Sequence, residues 1–143
     1  MKNKKVLNIT LPIYYGLIII PIILFLTSAI VDLWFYGEEL LYLDRIFWIE
    51  PKQWEWMTYI IAIAVLLTAL IGILLRAEWG RKLFLYSYFL SYLLYFLPSM
   101  QWVYMSKLAS LFYDAANIFL GMLLLVLLMP SLYQPIFAKK DKR

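Results

Sequence analysis

Four long stretches almost free of charge, at about residues 12–31, 57–75, 83–102 and 108–129, constrain this chain more than any other feature. A helix rises about 1.5 Å per residue and a hydrocarbon layer is about 30 Å thick, so about 20 consecutive apolar residues suffice for one crossing. Lipid offers no partner to backbone N–H and C=O groups. Each stretch is therefore predicted to be helical, although its Ile, Val and aromatic residues would favour strands in water. The expected fold class is all-α: a polytopic membrane protein built as a four-transmembrane-helix bundle, in one membrane domain over residues 1–143, with an external interfacial helix.

Composition agrees. The chain is 65% hydrophobic and 15% charged, with a mean hydropathy of +0.80, whereas a soluble domain sits near about 25% charged because it has a wet surface to cover. Residues 6–31 carry no charge and follow Lys2, Lys4 and Lys5, with no small-residue cleavage site, so an uncleaved first helix is expected rather than a signal peptide. Pro12 suits the opening turn of that helix, and Pro21 inside it is expected to kink it. Pro98 falls near the end of the third segment and Pro130 just past the fourth.

Charge sets the orientation. Lys2, Lys4, Lys5, Arg76, Arg81, Lys82, Lys139, Lys140, Lys142 and Arg143 fall on one side, which is ten of the 13 Lys and Arg residues. The other side holds Arg45, Lys52 and Lys107 among the acids Asp32, Glu38, Glu39, Asp44, Glu50 and Glu55. Positive charge resists translocation, so both termini are expected in the cytoplasm of a multi-pass protein, read here as one of the bacterial inner membrane. The tryptophans Trp34, Trp48, Trp54, Trp56, Trp79 and Trp102 all lie at or beyond predicted helix ends, the place of amphipathic anchors. The net charge of +4 is thus topological, and no nucleic-acid partner is expected. Membrane lipids are.

Two features rise above a plain bundle. The first is the long external connection, whose segment 33–50 is predicted to include a short amphipathic helix. Leu40, Leu43 and Phe47 share one face there, and Pro51 stops it. Glu38, Glu39, Asp44, Phe47 and Trp48 form a candidate interaction surface, and its acids would suit a basic external protein or peptide. By contrast, the link at 76–82, with Gly80 in it, is expected to be a tight turn joining two helices as a hairpin.

The second feature is a polar seam. In the third segment Tyr88, Tyr92 and Tyr95, beside Ser87 and Ser91, make one hydroxyl-bearing side. In the fourth, Ser110, Asp114, Asn117 and Gly121 recur at spacings of four, three and four, and Asp114 is the only acid within any proposed span. A carboxylate at that depth is expected to face protein. It could bond to the tyrosines of the third segment or to Lys107 and lock the bundle, or it could hold a ligand or cation. Gly16, Gly72 and Gly121 are read as sites of close helix packing.

The absence of His and Cys removes thiolate nucleophiles, Cys/His metal sites and disulfides, and no phosphate-binding glycine loop is present. No catalytic residue, metal or cofactor is therefore expected. The leading expectation is a noncatalytic integral-membrane interaction protein, such as a small subunit, assembly factor or regulator of a membrane complex, joined to a membrane-protein partner or to further copies of itself. In size and helix count the chain looks similar to small four-helix bacterial immunity proteins, a likeness that implies recognition of a toxin from the external side. A small transporter or ligand-binding bundle centred on Asp114 is the third reading.

Overall fold

A computed structural model describes residues 9–35, 37–47, 49–99 and 105–137. Among these residues 87% are helical and none is in a strand. The order is α1 (Leu11–Phe35), α2 (Glu38–Phe47), α3 (Gln53–Leu74), α4 (Glu78–Ser91), a 3-10 helix (Tyr92–Phe96), α5 (Lys107–Leu128) and α6 (Pro130–Phe137).

Among the described residues three helices, α1, α3 and α5, are long and apolar enough to cross a membrane, not the four expected. Their most apolar stretches bury only 17%, 17% and 22% of their residues inside the protein, so most of their apolar surface needs lipid or another protein against it. The third predicted segment differs for local reasons. Its α-helix ends at Ser91 and tightens into the 3-10 helix, because Pro98 biases Leu97 away from helical backbone and has no N–H to give the ladder. The Leu97 N–H closes the last turn on Leu94 O at 3.0 Å. At its other end the helix starts at Glu78, earlier than expected, and so takes in the charged residues Arg81 and Lys82. The predicted limit at Trp102, together with Trp48 and the terminal lysines, lies outside the described residues.

The helices pair as α1 with α5 and α3 with α4. On α1, Tyr14, Ile18, Pro21 and Ser28 are buried at spacings of four, three and seven. On α5 the buried Ala109, Ala116 and Leu123 recur every seven. That seven-residue repeat is the seam of a close antiparallel helix pair, and its small residues let the Ser28 hydroxyl reach across to Ala109 O at 2.8 Å.

The α3–α4 hairpin turns at Arg76 and Ala77. The Arg76 N–H donates to Ile73 O at 3.0 Å and the Ala77 N–H to Gly72 O at 2.9 Å, the pair of bonds that closes a helix through a left-handed residue. Arg76 occupies that position with φ of 54°, where glycine is the usual residue. Gly80, expected in the turn, sits instead inside α4 and does a different job. Its backbone lies against Gly72, so that a Cβ on Gly72 would stand 2.5 Å from the Gly80 Cα and a Cβ on Gly80 would stand 2.3 Å from the Gly72 Cα. Of the three glycines read as packing sites, only Gly72 is one: a Cβ on Gly121 would meet nothing within 4 Å, and one on Gly16 only Ile20 Cδ1 at 3.9 Å. Arg76→Gly is expected to stabilise the hairpin by about 0.5–1 kcal/mol, the relief of left-handed backbone exceeding the entropy glycine adds to the unfolded chain. A rise in detergent melting temperature checks it, and a fall would show that the Arg76 side chain matters more than its backbone.

The two pairs meet at the end that holds this turn, here called the turn end. Tyr14, Ile18, Ala69, Ile73, Phe84, Leu123, Val126, Leu127, Leu132, Ile136 and Phe137 form one buried cluster there. Away from it an apolar groove of about 670 Å³ lies between α3 and α4, walled by Tyr59, Ile63, Leu66, Leu90 and Leu94.

Candidate functional site

Polar side chains fall into three groups, and the first two are occupied in holding helix ends. The last carbonyls of a helix have no partner of their own. At the turn end those of α3 receive the Tyr14 hydroxyl on Ile73 O at 2.7 Å and the Tyr15 hydroxyl on Leu74 O at 3.4 Å. The end of α5 is closed by Arg81. Its Nη1 donates to Leu127 O at 2.8 Å, its Nε to Glu78 Oε2 at 2.9 Å, and its guanidinium lies 3.8 Å from the centre of the Tyr133 ring. Arg81 is 8% exposed. It therefore links α4, α5 and α6 through one buried cation, and its charge complements the negative end of the α5 dipole.

At the opposite end, which carries α2, the orphan N–H groups of helix starts are closed by carboxylates. Asp32 Oδ1 accepts from the Ser106 N–H at 2.7 Å, and Ser106 Oγ accepts from the Ala109 N–H at 3.3 Å, so α1 caps α5. Glu55, 1% exposed, accepts from the Lys52 N–H at 2.7 Å and from both the N–H and the hydroxyl of Ser99 at 3.1 Å. Tyr59 shares the Ser99 hydroxyl at 3.0 Å. Two of the six acids assigned by sequence to the external side, Asp32 and Glu55, are thus committed to caps.

The others lie nearer α2. Glu38 and Glu39 are exposed on its first turn and line a cleft of about 790 Å³ with Phe35, Leu40 and Lys107. Asp44 and Phe47 are on the same helix, and Phe47 is exposed. The expected anchors Trp34, Trp54, Trp56 and Trp79 are all exposed.

The third group is the predicted seam, and the structure divides it. Tyr88 and Tyr92 bring their hydroxyls to 3.0 Å, and the Tyr92 and Tyr95 rings stack with centroids 6.3 Å apart. The stacking follows from the 3-10 helix, in which residues three apart eclipse one another. The serines turn inward to their own helix: Ser87 donates to Phe84 O at 3.0 Å and Ser91 to Tyr88 O at 2.6 Å. The Tyr88 and Tyr92 hydroxyls thereby satisfy each other, and Ser87 and Ser91 bond to their own backbone.

On α5 the Asn117 amide donates to Tyr113 O on its own helix at 3.0 Å. Asp114 is exposed and accepts no hydrogen bond from any described residue. It stands two residues from Ala116, hence about 200° around the helix from the face packed on α1. Ser110, Asp114, Asn117 and Gly121 therefore form a stripe on the outward side of α5. The residues that sequence reading missed are those at the turn end. Arg81 figured only as a topological charge, yet Glu78 and Arg81 three apart on one helix were a visible pairing signal.

Fold and polar groups together define a helical bundle with three candidate membrane-spanning helices, compatible with a multi-pass membrane protein. Comparison with protein-family models, with curated proteins and with solved structures finds no match.

Proposed function

We propose that this chain is a noncatalytic membrane interaction protein, a small subunit, assembly factor or regulator, which joins its partner through the outward face of α5. The exposed carboxylate of Asp114 carries the reading. It lies seven residues into α5, roughly 10 Å along the helix by rise, on a face where Asp114, Asn117 and Gly121 are exposed and Ser110 is half-buried. A carboxylate at such a depth in hydrocarbon costs several kcal/mol unless protein supplies donors. Asn117 beside it and the small Ser110 and Gly121 make the face suited to a close helix contact with interhelical hydrogen bonds.

The same reading takes four crossings. From Glu78 to Phe96, α4 and its 3-10 extension rise about 31 Å, of which the apolar part from Leu83 supplies about 24 Å, a short span that local thinning of the bilayer accommodates. Glu78, Arg81 and Lys82 then lie in the headgroup layer and the crossing runs from Leu83 on. The turn end faces the cytoplasm, the α2 end faces outward, and Glu38 and Glu39 are available there to a basic protein or peptide, including an arriving toxin. Lipid chains would fill the groove between α3 and α4.

A photoactivatable side chain at position 117 in native membranes is expected to give protein adducts, and the same group at Ile60, on the exposed face of α3, lipid adducts. Lipid alone at 117 would overturn the interaction reading. Impermeant maleimide reaching Glu39→Cys but not Lys82→Cys in intact cells would support the orientation, and the reverse pattern would overturn it.

A further inference from the structure

Resting on the four-crossing reading, we propose that the groove between α3 and α4 binds one acyl chain of a single phospholipid, held as a fixed part of the protein rather than exchanged with the surrounding bilayer. Its length is the first reason. From Trp56 at one end of the groove to Leu66 at the other, α3 rises about 15 Å, half of a hydrocarbon layer of about 30 Å. A chain hanging from one leaflet spans that depth, whereas a partner helix crossing the whole layer would run on past the groove. Trp56, exposed at the α2 end, marks the headgroup level of that leaflet.

The walls supply the second reason. Ile63 and Leu66 stand on one side, Leu90 and Leu94 on the other. The four hydroxyls that line the groove are already engaged: Thr58 donates to Trp54 O at 2.9 Å, Tyr59 is bonded to Ser99 at 3.0 Å, and Ser87 and Ser91 donate to carbonyls of their own helix. An occupant with a polar group at that depth would bury it unpaired, so the groove selects plain hydrocarbon. The hairpin is also tied beyond both ends of the groove, by the Gly72 and Gly80 backbones at the turn end and by Glu55 and Tyr59 on Ser99 at the other. Walls tied in this way do not part to admit a helix about 10 Å wide between them. A chain of methylenes needs no such movement, and it restores dispersion contacts that both walls otherwise lack. Bilayer phospholipid is the hydrocarbon in greatest excess at that depth, which decides the source by mass action.

The full chain, extracted from native membranes into mild detergent and exchanged until bulk lipid is gone, is expected to carry one phospholipid per 17.0 kDa chain in native mass spectrometry. A photoactivatable side chain at Leu90 should then still form a phospholipid adduct, and one at Ile60, exposed outside the groove, only detergent adducts. Ala62→Phe puts a ring where the chain lies and should lower the bound fraction about tenfold. Ser91→Ala removes only a hydroxyl bonded to its own helix and should leave binding unchanged. Phosphatidylethanolamine added back in detergent should raise the melting temperature of the parent and of Ser91→Ala but not of Ala62→Phe. A folded Ala62→Phe that keeps its phospholipid would overturn the site, as would equal phospholipid adducts at 60 and 90, the sign of bulk lipid only. Loss of binding in Ser91→Ala would overturn its hydrocarbon basis. Detergent alone at 90 with protein adducts at 117 would overturn the bound lipid and leave the interaction reading standing; phospholipid at 90 with lipid alone at 117 would do the reverse.

Discussion

Gly72→Ala and Gly80→Ala are each expected to destabilise the protein by more than about 3 kcal/mol, lowering the melting temperature in detergent by about 10 °C. Both glycines are inside helices, where alanine is ordinarily favoured by about 1 kcal/mol, so propensity alone predicts the opposite sign. The contact decides. A methyl at either position would lie 2.3–2.5 Å from backbone atoms of the other, and backbone, unlike the end of a side chain, has nowhere to rotate. The helices would have to part, which opens the cluster around Ala69, Ile73 and Phe84 on the same hairpin. Gly16→Ala supplies the control. Its Cβ would make only an ordinary contact at 3.9 Å, so the helix propensity gain of up to about 1 kcal/mol should appear undiminished. Equal effects at positions 16, 72 and 80 would refute the close approach.

That contrast shows what the sequence could convey. Helices α1, α3 and α5 were legible because lipid leaves an uncharged run of that length no other regular structure, and α2 was legible from Leu40, Leu43 and Phe47 at helical spacing. Length was misjudged where hydropathy and backbone chemistry disagree. Hydropathy continues through Leu93, Leu94 and Phe96 to Trp102, whereas Pro98 ends the ladder from below. Pairing was not legible from hydropathy at all. Where a helix is apolar all round, its buried and lipid-facing sides look alike, so Gly16, Gly72 and Gly121 appeared equivalent. Only partner geometry distinguishes them. The α1–α5 seam did leave a trace in the small residues Ser28, Ala109 and Ala116, but it is visible only once the seven-residue spacing is compared across two distant segments. The stripe holding Asp114 was legible for the complementary reason: polar residues in an apolar run are few, and their spacing has no background to hide in.

Arg81→Ala is expected to cost about 3 kcal/mol, because it removes a buried charged hydrogen bond to Leu127 O together with a cation held on an aromatic face. The loss should be local before it is global. Arg81 is the link through which α4 holds the α5–α6 corner, where Met129 leaves helical backbone and Pro130 has no N–H to offer the Leu127 carbonyl. Without the guanidinium that carbonyl is left buried and unpaired, and α6 loses the cation beneath Tyr133. A cysteine at Leu132, which is 7% exposed in the intact protein, should then label with maleimide at least tenfold faster. Arg81→Lys should fall between the two, since an ammonium can meet Leu127 O or Glu78 but lacks the planar fork that meets both while lying on the ring. The hydrogen bond from Arg81 holds the Glu78 carboxyl below its ordinary value of 4.5. A carboxyl with a lowered folded pKa contributes stability above its unfolded pKa and loses it as pH falls through the folded value. Because the thiolate fraction itself falls with pH, labelling of Leu132→Cys is read relative to an exposed reference cysteine, and this ratio should accordingly rise below about pH 4.5 with Glu78 present and show no such step in Glu78→Gln. A pH step of equal size in that variant would assign the acid sensitivity to another group, and labelling of Arg81→Ala at the parent rate would show that α6 is held by its apolar face alone.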